Sequence, residues 1–214
     1  MFTRDRLVAD LSEQHGVLFT NPRGELLVSP ALPERAELVR LGNSWIIRTA
    51  AVACVTAVPT TTAPAYLWNG ENVGGKSYVI DALGWICTTS AGSRSMFALL
   101  ACLNQTPVSA APATADPLAI ATLGGRAYSG LAAMGHAATV VDDNWVPIGQ
   151  TGNTAPLGST AGRATVGLTV WQPIQGTIIV PPQYLLNLAC IAVNTTAAGQ
   201  FAVLYHEVQL SATL

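Results

Sequence analysis

Phe201-Ala202-Val203-Leu204-Tyr205-His206-Glu207-Val208 is the stretch on which the fold turns. Successive side chains of a strand point to opposite faces. Phe201, Val203 and Tyr205 therefore fall on one side, and Ala202, Leu204, His206 and Val208 on the other. Both sides are largely apolar at the start of the run. A strand with one solvated face would show polar residues on that face. This one is expected to lie between two covered surfaces, the interior of a sandwich on one side and a neighbour on the other.

Working outward, segments near 45–58, 77–88, 95–103, 136–141, 164–171, 177–180, 184–194 and 199–210 are rich in Val, Ile, Thr, Tyr and Trp. They are separated by Gly, Pro, Asn and Asp, the pattern of short strands joined by turns. Helical competitors are weak. The strand number, with long loops at Asn104–Leu118 and Asn144–Gly162, predicts an all-β, two-sheet jelly-roll sandwich over residues 45–214. No repeat of about 20–50 residues stands out.

The 214 residues are 50% apolar and only 10% charged, far from the composition of a disordered chain. Ten basic residues stand against twelve acidic ones, so the chain lacks the positive footprint of a nucleic-acid binder. The longest apolar run, Trp45–Val58, contains Arg48 and ends at Pro59, too short for a spanning helix, so no membrane partner is expected. Met1-Phe2-Thr3-Arg4-Asp5-Arg6 lacks the apolar segment of a secretory signal, which points to synthesis in a reducing cytoplasm. Cys54, Cys87, Cys102 and Cys190 are widely and irregularly spaced, without a Cys-x-x-Cys pair, and read as buried free thiols.

Charge is unevenly spread. Twelve charged residues fall within 1–48, and beyond them the only lysine is Lys76. A free-standing domain carries a surface about a quarter to a third charged, so the remainder is expected to cover much of its surface with copies of itself or a larger assembly. Residues 1–44 read as an arm. Thr3 caps a short helix bearing Leu7, Val8 and Leu11, and a hairpin through Asn21-Pro22-Arg23-Gly24 carries Leu18, Phe19, Leu26 and Val28. The arm has too few apolar residues for a core of its own. It has the composition of a segment that orders against a partner, with Leu7, Val8, Leu11, Leu18 and Phe19 as candidate docking residues.

Gly70-Glu71-Asn72-Val73-Gly74-Gly75-Lys76-Ser77 matches the phosphate-binding pattern G-x-x-x-x-G-K-[ST]. That chemistry needs a helix after the loop, whereas Tyr78–Cys87 reads as a strand, so the glycines are assigned to a hairpin-like loop. No G-x-S-x-G or H-E-x-x-H motif occurs, and His15, His136 and His206 are far apart. Asp142-Asp143-Asn144 reads as a turn, or at most a weak cation site. No catalytic residue, cofactor or metal site is expected, and the chain is read as a non-enzyme. Of the five tryptophans, Trp68 and Trp145 lie in loop-like sequence and are candidate glycan contacts; those within strands are assigned to core packing.

Three places resemble the jelly-roll virion proteins of tailed bacteriophages, the class of head decoration proteins, head fibres and receptor-binding tips. They are the Asn69–Lys76 loop running into Ser77-Tyr78-Val79-Ile80, the Ile178-Ile179-Val180-Pro181-Pro182-Gln183-Tyr184-Leu185 joint, and the terminal Phe201–Val208 strand. The resemblance implies a homotrimer that attaches through its N-terminal segment to the major capsid protein or another virion component. It implies a capsid decoration or head-fibre role, located in the virion, with a carbohydrate- or host-receptor-binding tip on the same fold as the alternative. A chain starting near Leu41 is then expected to remain a folded β-rich oligomer and to lose attachment to particles.

Overall fold

The computed structural model describes residues 38–39, 41–89, 96–112, 121–122, 127–140, 142–151, 167–193 and 195–209. All of these fall within the unit Leu38–Leu214. The expected arm helix and hairpin, with Leu7, Val8, Leu11, Leu18 and Phe19, lie outside the described residues.

The fold is all-β. Eleven strands run in order among the described residues: β1 (Ser44–Arg48), β2 (Val52–Ala53), β3 (Thr62–Asn69), β4 (Ser77–Thr89), β5 (Ala98–Leu103), β6 (Ala121–Thr122), β7 (Ala132–Thr139), β8 (Val146–Gln150), β9 (Thr169–Val180), β10 (Leu185–Ile191) and β11 (Ala198–Val208). They form two antiparallel sheets. One has the order β6-β1-β11-β4-β9, with β2 also paired to β11; the other has the order β7-β3-β10-β5-β8. From β3 to β4 and from β9 to β10 to β11 the chain passes from one sheet to the other, so the sheets face each other as a sandwich.

β11 alternates as its sequence predicts. Phe201, Val203 and Tyr205 are buried in the core, while Ala202, Leu204, His206 and Val208 are half-buried on the outer side. Between the sheets it meets Ile47 of β1 and Leu83 and Trp85 of β4, and the opposite sheet contributes Leu67, Leu99, Leu186 and Leu188 to the same core. The Trp85 ring stacks at a tilt on Phe97, with centroids 4.7 Å apart.

Three strands escaped the periodicity, the two-residue β6 among them. β3 was hidden by Pro64, a residue disfavoured in sheet interiors because it donates no ladder hydrogen bond. Here β3 pairs with β10 only from Ala65 onward, so Pro64 faces β7 alone and interrupts no central ladder. β8 lies in the segment expected as loop, and its five residues cover only an edge beside β5. The segments expected at 164–171 and 177–180 are parts of one strand, β9. Its pairing with β4 jumps from Ile178 to Pro173 against Ile80 and Ala82, leaving Ile174–Thr177 as a bulged excursion. Gln175 and Gly176 carry it with φ of 54° and 77°, the left-handed region that glycine enters freely.

The Gly70–Lys76 loop is a corner between the two sheets, not a hairpin, because β3 and β4 belong to different sheets. Asn69 ties it down. The buried amide donates through Nδ2 to Lys76 O and Val180 O, both at 2.9 Å, and its Oδ1 accepts from Glu71 N at 3.1 Å. The Pro181–Tyr184 turn beside it has Pro182 at its second position and Gln183 at φ 68°, the geometry of a type II turn closed by Tyr184 N–H to Pro181 O at 3.1 Å. Asn69→Ala removes three hydrogen bonds and leaves two buried-side carbonyls without a donor. The expected cost is about 2–4 kcal/mol in urea unfolding, with loss of amide-exchange protection concentrated at residues 69–77 and 180–184.

Candidate functional site

The two outer faces of the sandwich differ. Segment 104–112 is strapped over the β7-β3-β10-β5-β8 sheet. Asn187 Nδ2 donates to Asn104 Oδ1 at 2.7 Å, Trp68 Nε1 to Val108 O at 2.9 Å, and Tyr66 Oη to Pro112 O at 3.1 Å. Tyr66, Leu185 and Ala138 are buried beneath it, with Trp68 and Val108 packed alongside. β10 is consequently buried on both faces from Leu185 to Cys190.

Among the described residues no strap crosses the outer face of the other sheet. Register places Ile46 opposite Leu204, Arg48 opposite Ala202, Gly84 between Ala202 and Trp171, and Val79 between His206 and Ile179. Paired residues share a face, so Ile46, Val79, Ile86, Trp171, Pro173, Ile179, Leu204 and Val208 all belong to one surface. Trp171 is 51% exposed, Ile86 39% and Ile179 38%. It also carries Arg48, and Asp81 Oδ2 and His206 Nδ1 3.0 Å apart. Asp81 is the extra residue of the β4 bulge.

Within this face lies a shallow cleft of about 190 Å³ lined by Arg48, Gly84, Ile86, Thr169, Trp171 and Gln200, among others. Trp171 lies over Gly84, where any Cβ would run into the indole ring. Glycine therefore lets the indole settle on the sheet backbone with an exposed side. Arg48 Nη1 donates to Gln200 Oε1 at 3.3 Å across the cleft. The arrangement offers an aromatic surface, aliphatic neighbours and two planar polar side chains.

The residues singled out by sequence are not brought together. Trp68 is half-buried under the strap, with its indole N–H donated to Val108 O. Trp145 is half-buried, with its indole N–H donated to Pro59 O at 2.7 Å. Both indoles are engaged in holding loops. Lys76 is ion-paired with Glu207 at 2.8 Å, and that hydrogen bond raises its ammonium above the ordinary lysine range. The segment following Ser77 is the thirteen-residue strand β4, with no helix to aim at a phosphate. Asp142 serves a turn: its Oδ2 accepts from Gln105 N at 2.6 Å and its carbonyl from Cys102 Sγ at 3.1 Å. Among the described residues no group of three His, Cys, Asp or Glu is placed to hold a metal ion, and no helix is long and apolar enough to cross a membrane.

Trp171 was assigned to core packing as a strand tryptophan, and the structure places it on the surface. The signal lay two residues on. Pro173 marks the strand as an edge, and an edge strand bearing alternate residues Thr169, Trp171 and Pro173 on one side presents them to solvent. Comparison of the chain with models of protein families, with curated proteins and with solved structures gave no match.

Proposed function

We propose that this chain is a non-enzymatic structural protein of a virus particle, of the capsid decoration or head-fibre kind. In this reading it associates with copies of itself as a homotrimer through the open face of the six-stranded sheet. It attaches through its N-terminal arm to the major capsid protein or another virion component. The observation that carries self-association is the contrast between the faces: one is roofed by the chain's own strap, the other is left apolar with Trp171, Ile86 and Ile179 exposed. A contiguous exposed apolar face of this kind marks an interaction surface. Covering about 800 Å² of it per copy would give an interface of standard size.

The strand order supports a jelly roll. Leaving aside β2, β6 and β7, one sheet reads β1-β11-β4-β9 and the other β3-β10-β5-β8, and successive strands alternate between sheets at every step except β5 to β8. That is the winding of two Greek keys in an eight-stranded roll. The virion assignment rests on the resemblance of the 69–80, 178–185 and 201–208 segments to phage virion proteins.

Sedimentation of the full chain is expected to give a trimer, and Trp171→Arg, which puts a charge in place of the most exposed aromatic ring of the face, is expected to shift it to monomer with unchanged far-UV circular dichroism. A stable, soluble monomer of the unsubstituted chain would overturn the self-association. A chain starting near Leu41 that still decorates particles would overturn the docking role of the arm.

Trp171 favours one second reading, a carbohydrate- or receptor-binding tip. Its exposed ring beside Arg48 and Gln200 has the composition of a saccharide-stacking site. Glycan binding lost on Trp171→Ala and kept on Trp68→Ala and Trp145→Ala, with the trimer intact in all three, would decide for it.

A further inference from the structure

Cys54 and Cys190 are far apart in sequence and adjacent in the core. Val55 and Ile191 form a parallel bridge, closed by Val55 N–H to Cys190 O and Ala192 N–H to Val55 O, both at 2.9 Å. One residue back along each chain stand the two cysteines. Parallel neighbours lie abreast about 4.8 Å apart with side chains on the same face, and here that face is the core, where both thiols are buried. The Cα separation so implied falls within the range of about 4.4–6.8 Å that a disulfide spans. The Cys190 thiol alongside lowers the Cys54 thiol below its ordinary range, while Cys54 and burial raise that of Cys190, whose Sγ–H is directed to Ile191 O at 3.9 Å.

We propose that Cys54 and Cys190 form an intramolecular disulfide that staples the first strands of the sandwich to β10 when the protein meets a small-molecule disulfide oxidant. Cys54 gives up its proton to solvent and its thiolate attacks one sulfur of the oxidant, whose S–S bond breaks and releases one small thiol. Cys190, deprotonated in turn, attacks Cys54 Sγ in the mixed disulfide and releases the second small thiol. One small disulfide is reduced to two thiols, and two protein thiols are oxidised to one disulfide.

The neighbouring cysteines are held elsewhere. Cys87 donates its Sγ–H to Thr89 O at 3.2 Å, and Cys102 donates to Asp142 O at 3.1 Å. Access comes from the Cys54 side. β2 is only two residues long, and Ala51, Ala53, Thr56, Ala57 and Val58 around it are exposed, so a small local opening uncovers Cys54. The inference stands on core geometry and does not depend on the virion reading.

The test uses the full chain, incubated with oxidised glutathione, alkylated and analysed by mass spectrometry of its peptides. The expected result is loss of two hydrogens, a Cys54–Cys190 linked peptide, and alkylation confined to Cys87 and Cys102. Cys54→Ser and Cys190→Ser each abolish the cross-link and Cys87→Ser leaves it. Because the linkage closes a long loop, the oxidised form is expected to melt about 5–15 °C above the reduced form. Four alkylated cysteines after oxidation, with and without sub-denaturing urea to open the 52–55 segment, would overturn the proposal. So would a cross-link through Cys87, or an oxidised form that melts below the reduced one.

Discussion

Above pH 10 the folded state is expected to lose about 2.7 kcal/mol of stability for each further pH unit, from two phenols alone. Tyr78 and Tyr205 are fully buried and stack on each other with ring centroids 4.9 Å apart. Burial pushes both far above the ordinary phenol range, and the nearby Tyr128 adds to the effect in each. The sign follows from which state holds the proton. Below the ordinary phenol pKa of 10.0 both states are protonated and the contribution is complete. Above it the unfolded chain releases two protons that the native chain keeps, so unfolding is drawn forward. Native protein should show two phenols that fail to ionise until it unfolds, read as phenolate absorbance appearing together with loss of circular dichroism. Tyr205→Phe should roughly halve the slope. It should cost little at neutral pH, because no group among the described residues is placed in hydrogen-bond geometry with the Tyr205 hydroxyl. Equal slopes in the variant and the parent would show that these phenols are not what limits alkaline stability.

Trp85→Ala is expected to cost about 3–5 kcal/mol, a large share of the 5–15 kcal/mol that holds a domain together. The side chain is 2% exposed. It packs on Phe97, which leads into β5 of the opposite sheet, and lies so close to Gly199 that a Cβ there would collide with its ring. Truncation leaves a cavity spanned by two sheets, and neither can collapse into it without breaking the β4–β11 register. Urea denaturation should show a lowered midpoint at unchanged slope. Trp85→Phe should recover more than half of the loss, since among the described residues the indole N–H has no partner to forfeit.

Much of this architecture was legible because burial imposes period two on strands. β11 and β4 each announce themselves through β-branched and aromatic residues at core positions, and Gly and Pro mark the corners at 70–75 and 181–182. The parts that escaped reading share a physical cause. Pro64 in β3 and the bulge in β9 are local departures tolerated only because of where the neighbouring strands end, which is a tertiary fact. Trp68 and Trp145 were singled out as loop residues, yet Trp68 lies in β3, and a tryptophan is as able to anchor a neighbouring loop by its indole N–H as to greet a ligand. Whether it does depends on Val108 O and Pro59 O, carbonyls 40 and 86 residues away. The approach of Cys54 to Cys190 is invisible for the same reason.

The bulge at Ile174–Thr177 has a consequence for how copies can meet. β9 is the outermost strand of its sheet, and an outermost strand with a regular row of free amides is a template on which another chain can crystallise as cross-β. Pro173 deletes one donor from that row, and the left-handed turn at Gln175–Gly176 bends the next ones out of line. Lateral growth by strand addition is thereby blocked at β9, and encounters are diverted to the broad face. Contacts made through faces can close on themselves after a few copies. The kink thus closes this edge to strand addition, and the self-association proposed above would have to use the face instead.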